Sequence, residues 1–279
     1  MWSVEIAAPA EEREALVAEL WDRGCAGIVE KDATVEAFFE REEEARQFGI
    51  PAYHDPARDW VQVSRDCWAP LAVGERFYLA PEWCEEPTPE GRMRLEMHPG
   101  LACGSGWHEA TQLCLEALEC YVRAGARVAD IGVGSGILSQ GAALLGARVV
   151  VACDTDMEAV RIARARRTAA LLFCGSADGL RGGSADVAVS NIGGVAAAGV
   201  AAESLRCLAE GGVALVSGFE THEEGGMREA IVAAGGVIVD RREKRGWVLL
   251  VYARAEGGAG NGPRASSKRT ASSSSSSSS

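Results

Sequence analysis

At 279 residues and 47% hydrophobic, the chain is long enough for one large domain or two smaller ones, and it has neither the ~18-residue apolar run of a membrane span nor the basic-then-apolar start of a secretory leader. Nine cysteines, odd in number and never spaced CxxC, and four histidines without ligand spacing argue against a disulfide framework or a metal site and fit the reduced thiols of a cytoplasmic protein. The net charge of −12 is concentrated in residues 1–90, which hold 21 of the 40 acidic and 8 of the 28 basic side chains; this disfavours direct nucleic-acid binding and suits a basic partner, or serves only solubility.

In chain order, Trp2-Ser3-Val4-Glu5-Ile6 alternates as a strand does. A helix is predicted over 11–23, with Ala15, Leu16, Leu20 and Trp21 on one face and Gly24 at its end. Strands follow at 26–30 and 34–39, then a short charged helix at 40–48 and a further strand near 60–63. Residues 66–95 are rich in Trp and Pro and read as a connecting region, since proline opposes long helices. Residues 1–90 are thus a small acidic α+β lobe with its linker.

From Thr111 the pattern changes to alternating helix and strand. Leu113, Leu115, Leu118 and Val122 mark a helix. Strands are predicted at 127–131, 148–153, 186–190 and 212–217, with helices at 137–145, 156–172, 196–209 and 224–234. Two closely spaced strands near 236–240 and 247–253 form a hairpin at the sheet edge. This alternation predicts an α/β domain over 91–255, a doubly wound, mostly parallel sheet covered on both faces. The Gly-, Ser- and Lys-containing stretch 256–279 cannot build a core and reads as a disordered tail.

The chemistry concentrates where strands end. Asp130-Ile131-Gly132-Val133-Gly134-Ser135-Gly136 closes one strand and opens a helix. Glycines here allow positive φ and close approach to a ligand. A dinucleotide fingerprint needs a glycine where Ile137 stands, so that template fails; an ordinary glycine-rich turn is the plain alternative. The spacing Asp-x-Gly-x-Gly-x-Gly resembles the first motif of S-adenosylmethionine (SAM)-dependent methyltransferases, in which the strand-end carboxylate lies near the amino-acid end of the cofactor. Eighteen positions after Gly136, Asp154 ends the next strand, at the offset of an acid that accepts both ribose hydroxyls. Asp156 reads as a helix cap. Asn191, at the end of the fourth strand, offers an amide carbonyl that could hold an amine, or is a turn former. Ser176 and Asp178 are turn formers or adenine contacts, and His108 is a structural histidine or a base.

Taken together, Pro99-Gly100-Leu101-Ala102-Cys103-Gly104-Ser105-Gly106-Trp107-His108, the Leu113-Cys114-Leu115 helix, the glycine turn, Ala152-Cys153-Asp154-Thr155-Asp156, Ser190-Asn191-Ile192 and Gly211 to Gly218 resemble the ribosomal protein L11 methyltransferases, the PrmA family, over about residues 60–250. The resemblance implies a ferredoxin-like recognition lobe beside a SAM-binding lobe. It also implies methylation of amino groups, lysine side chains or an N-terminal amine, on a basic ribosomal protein. Thr111, Gly132, Asp154 and Asn191 match the family's SAM contacts; Asp130, Gly134 and Gly136 complete the cofactor set, and Asn191 is the candidate catalytic residue. Cys103, Ser105 and Ala110 depart from the family pattern, the segment before Asn191 is shortened, and Gly193 replaces a larger residue. A same-fold methyltransferase acting on another protein or a small molecule, and a non-catalytic binding domain, are the alternatives. No membrane, direct nucleic-acid or metal partner is expected.

Overall fold

The computed structural model describes residues 2–9, 13–31, 33–54, 68–97, 106–166, 168–193 and 195–255. The chain divides into two compact units, Met1–Cys67 and Trp68–Ser279. The boundary therefore lies before the Trp- and Pro-rich stretch, not near residue 90: that stretch builds strands of the second unit instead of a connector. The strand expected at 60–63, the Pro99–Ser105 signature and the 256–279 tail lie outside the described residues.

The first unit runs β1 (Trp2–Ala7), α1 (Arg13–Asp22), β2 (Gly27–Glu30), β3 (Thr34–Phe39), α2 (Glu42–Arg46) and β4 (Tyr53–His54). Its antiparallel sheet has the order β2-β3-β1-β4, the βαββαβ arrangement of a ferredoxin-like unit. Alternation sets its core. Val4 of β1 and Val35, Ala37 and Phe39 of β3 share one face and close on Leu20 of α1 and Ala45 of α2. Trp21, which the helical stripe places inward, is 51% exposed, and Val17 joins Leu16 and Leu20 at the core instead.

The second unit opens with β5 (Leu71–Val73), β6 (Phe77–Pro81) and β7 (Met93–Met97). β6 pairs antiparallel with β5 and parallel with β7. Then come α3 (Glu109–Tyr121), β8 (Arg127–Ile131), α4 (Ile137–Leu144), β9 (Val149–Asp154), α5 (Met157–Ala165), β10 (Leu171–Cys174), β11 (Ala185–Asn191), α6 (Val195–Cys207), β12 (Leu208–Glu220), α7 (Glu224–Ala233), β13 (Gly236–Lys244) and β14 (Trp247–Arg254). Phe77, Leu79, Leu95 and Met97 of the small sheet join the core formed by α3 and α4. Its first turn is held by α3: the Glu119 carboxylate accepts the backbone N–H groups of Glu75 and Arg76, each at 2.9 Å.

The large sheet has seven strands in the order β10-β9-β8-β11-β12-β14-β13. The five from β10 to β12 are parallel, and β14 runs antiparallel to both its neighbours. Successive strand residues feed opposite cores. Val128, Val187, Val189 and Leu215 pack with α3 and α4, while Ala129, Ile131, Ala188 and Val216 pack toward Leu205 of α6 and Met227 and Ile231 of α7. The sheet is thus doubly wound, with apolar strands buried on both faces. β13 is one edge and carries a bulge between Ile238 and Asp240; β10, four residues long, is the other.

Two boundaries differ from the sequence pattern. The predicted 156–172 helix stops at Ala165. The Thr168 hydroxyl donates to the Ala163 carbonyl at 3.0 Å, and the apolar run behind it pairs with β9 as β10. Pairing with a neighbouring strand here overrides the helical character of Ala169-Ala170-Leu171-Leu172. Likewise α6 yields at Cys207 to a long β12.

Between this sheet and its helices lies one buried carboxylate. Asp130 of β8 is fully buried. The Ser139 hydroxyl of α4 donates to its Oδ2 at 2.6 Å, and its Oδ1 has no hydrogen-bond partner among the described residues. Burial pushes its pKa from 3.8 up to about 7, against the hydrogen bonds from Ser139 that favour the charged form. A buried acid with a raised pKa binds its proton more tightly folded than unfolded, so its contribution to stability falls as pH rises from about 4 to about 7. At roughly 1.4 kcal/mol per pKa unit, the upper bound on that loss is on the order of 4 kcal/mol. The amide in Asp130→Asn cannot ionise, so the variant is expected to gain stability relative to wild type between pH 5 and pH 8. Urea unfolding at the two pH values checks this, and an identical wild-type-minus-variant difference at both would refute it.

Candidate active site

The sheet order reverses between β8 and β11: from β8 the chain winds outward through β9 to β10, then returns to β11 and winds the other way. Loops diverge at such a switch point and leave a crevice beyond the strand C-termini, where ligands of open α/β sheets sit. β8 ends in the glycine turn, β9 in Asp154 and β11 in Asn191. The candidate residues thus lie on three adjacent strand ends.

The turn is tight because it folds back on β9. The N–H groups of Gly132 and Val133 both donate to the Cys153 carbonyl, at 2.8 and 2.9 Å, and Gly136 N–H donates to Val133 O at 2.7 Å. Gly132 and Gly136 have φ of 82° and 83°, the left-handed region that glycine tolerates. Space is equally restrictive. A Cβ at Gly132 would lie 2.7 Å from the Ile192 side chain, and one at Gly136 would lie 2.2 Å from the Thr168 methyl. Gly134, between them, has φ of 47°.

Asp154 is half-buried at the rim. Its Oδ2 accepts the Gly134 N–H at 3.1 Å and its Oδ1 the Asp156 N–H at 3.0 Å. A carboxylate has about four acceptor positions, so each oxygen keeps one for a diol. Asp156 caps α5 by accepting the Glu158 N–H at 2.8 Å.

Asn191 and Thr111, 80 residues apart, are joined directly. The Asn191 Nδ2 donates to Thr111 Oγ1 at 2.9 Å. Thr111, in the first turn of α3, is only 1% exposed. This bond fixes the amide so that its carbonyl oxygen is the end left for a ligand. Ser217 of β12 lies opposite Asn191 in the ladder and spends its own hydroxyl on the Val248 carbonyl at 2.7 Å. Asp130 is in the same strand-end region but sealed beneath the turn, so it supports the turn through Ser139 without reaching the surface.

Aromatic rings pack around the N-terminal end of α3. His108 caps α3 through Nδ1, which accepts the Ala110 N–H at 3.2 Å, and its ring meets Trp247 edge-on at 4.2 Å. Trp107 meets Trp68 edge-on at 5.8 Å. His108 therefore has a structural task at Nδ1. Sequence spacing gave no sign of Ser139, of Ile192 lying over Gly132, or of Thr168 filling the space beside Gly136, because each partner comes from a different element.

These residues fit a nucleoside better than a phosphate cofactor. A dinucleotide turn would need a glycine where Ile137 stands, and the polar groups here are a carboxylate with spare acceptor capacity, an amide, and the Arg166 guanidinium, whose Nη1 donates to the Ser135 carbonyl at 3.4 Å.

The family model described as ribosomal protein L11 methyltransferase (PrmA) matches residues 52–255. The chain is 39% identical over 201 residues to a ribosomal protein L11 methyltransferase of Pelotomaculum thermopropionicum, across 69% of this chain and 64% of that protein. It is 36% identical over 220 residues to one of Symbiobacterium thermophilum, across 75% of this chain and 72% of that protein. A crystal structure of ribosomal protein L11 methylase from Lactobacillus delbrueckii subsp. bulgaricus superposes with a TM-score of 0.63 at 25% identity, covering 68% of this chain and all of that one. With the family model spanning both strand-end carboxylates, the glycine turn and Asn191, the chain belongs to the ribosomal protein L11 methyltransferase (PrmA) family.

Proposed function

We propose that this chain is a SAM-dependent methyltransferase that methylates amino groups, lysine side chains or an N-terminal amine, of a basic protein, in keeping with its family a ribosomal protein. The observation that carries the reading is the meeting of the glycine turn, Asp154 and the Thr111-fixed Asn191 amide at one switch point. Asp154 would hold the ribose diol on its two spare acceptor positions, and the turn of Gly132, Gly134 and Gly136 would let the cofactor lie close to the backbone. SAM, once bound, supplies a methyl group already activated by its sulfonium.

What remains for the protein is to orient an amine and remove its proton. The Asn191 carbonyl can accept an N–H of the amine, which aims the nitrogen lone pair away from Asn191. A free lysine has a pKa near 10.4. Desolvation on entering the crevice would disfavour the ammonium and ease proton loss to solvent. The acidic bias of residues 1–90 would draw a basic protein toward the enzyme. A cytoplasmic setting goes with this reading, and no helix among the described residues is long and apolar enough to cross a membrane.

The reading is tested by incubating the protein with methyl-labelled SAM and purified ribosomal proteins and mapping the product by mass spectrometry. Label on one basic ribosomal protein at an amine is expected; SAM binding without transfer to any ribosomal protein would overturn the substrate. Asp154→Ala is expected to weaken SAM binding roughly tenfold or more, about 1.4 kcal/mol, while circular dichroism stays unchanged; unaltered affinity in calorimetry would remove the ribose role. Asn191→Ala should lower kcat by roughly tenfold or more, beyond the loss of several degrees in Tm expected from leaving the buried Thr111 hydroxyl without its partner. Thr111→Val, which keeps the shape but frees the amide, should shift kcat the same way; normal turnover in both would take the pair out of the acceptor site.

A further inference from the structure

The wall beyond β9 is built by the segment that follows β10. Cys174 pairs with Asp154 in the ladder, and the Gly175 N–H donates to the Asp154 carbonyl at 2.8 Å. The chain then turns through Ser176 and a single 3₁₀ turn, Ala177–Gly179, to Leu180. Ala177 is fully buried and Leu180 nearly so, both in the core shared with α6. The sheet order gives this segment its place along a ligand. With the amide at β11, the glycine turn at β8 and the proposed ribose acid at β9, the next position outward, at β10, is where the base of a bound nucleoside would lie.

Little within the segment fixes it. It is short, and its internal bonds are the two of the 3₁₀ turn, Gly179 N–H to Ser176 O at 3.2 Å and Leu180 N–H to Ala177 O at 3.0 Å, with a Ser176 hydroxyl to Asp178 carboxylate contact. The remaining hold comes from α6. Arg206 Nη2 donates to Ala177 O at 2.6 Å and its Nη1 to Leu180 O at 2.7 Å. The Arg206 carbonyl in turn accepts the Gly183 N–H at 3.2 Å. One guanidinium thus spans both ends of the 3₁₀ turn, a fork that a single ammonium cannot reproduce.

We infer that Arg206 is a positioning residue for cofactor recognition: through Ala177 and Leu180 it sets the place of the 175–180 segment against the base of the bound nucleoside, and so governs selection of an adenine over other purines. Asp178 is exposed on that segment and its carboxylate accepts the Ser176 hydroxyl; its remaining acceptor positions would suit an exocyclic amino group, where a 6-oxo purine would face it acceptor to acceptor. The inference rests on the methyltransferase reading above. Arg206 does not touch the cofactor, and the reaction itself is unchanged by its loss.

The experiment compares wild type, Arg206→Lys and Arg206→Met in calorimetric binding of S-adenosylhomocysteine and S-inosylhomocysteine, with steady-state kinetics and Tm alongside. Arg206→Met is expected to raise KM for SAM roughly tenfold at nearly constant kcat and to narrow the adenine-over-hypoxanthine preference by a similar factor. Arg206→Lys should recover only part of either. An unchanged preference in Arg206→Met, or equal weakening of both nucleosides in proportion to a fall in Tm, would overturn the inference and leave Arg206 a structural residue. Failure of the wild type to bind either nucleoside would overturn the methyltransferase reading together with it, whereas normal wild-type binding with an indifferent variant would overturn the positioning role alone.

Discussion

Parallel pairing of β8 between β9 and β11 is the constraint on which the rest of the second unit depends. It brings three strand ends level, so that residues far apart in sequence share one rim. Asn191 pairs with Ser217, Ser190 with Ile131, and Ile131 with Cys153. Because side chains alternate along a strand, a slip of one residue would turn Asp130 and Asn191 to the opposite face. The packing that prevents the slip is apolar: β8, β9, β11 and β12 present Val, Ala, Ile and Leu to helices on both sides. The site is therefore placed by the core, and its polar groups are carried on strands that the core holds.

Polar groups within that core follow two different rules. The Thr111–Asn191 hydrogen bond is worth only about 1 kcal/mol net, but breaking it would leave a buried hydroxyl without its partner, a cost of about 1–3 kcal/mol. It thus fixes geometry more than it adds stability. Asp130 is the opposite case: Ser139 satisfies one carboxylate oxygen and burial disfavours the charge, so the strand-end acid of the motif stands under the turn as a support and leaves the rim to Asp154.

Much of this was legible in the residues alone. The strand–turn–helix alternation after Thr111 predicted the doubly wound sheet and its edge hairpin because buried parallel strands leave long apolar runs and the turns between them are glycine-marked. The resemblance singled out Thr111, Gly132, Asp154 and Asn191 without saying that Thr111 would reach Asn191 and not the surface. What stayed hidden was decided by pairing between elements. β10 looked like the end of a helix until β9 offered it a ladder. Residues 66–95 read as a connector because their prolines and tryptophans carry no period, yet β6 is buried at every position. The Arg206 fork was invisible for the same reason: its acceptors are backbone carbonyls, which no side-chain motif records.

The two outer strands of the large sheet have a consequence for how the protein behaves in a crowded solution. An open sheet offers unpaired backbone groups along each rim, a template on which another chain can add. Here one rim is only four residues long. The other is interrupted by its bulge and then carries Asp240, Arg241, Arg242, Glu243 and Lys244 in succession, with Arg241 tied to Glu224 and Glu243. A second copy laid parallel and in register against that rim would find its ladder broken at the bulge and like charges opposite one another. The charged half of that edge strand thereby opposes in-register stacking of copies.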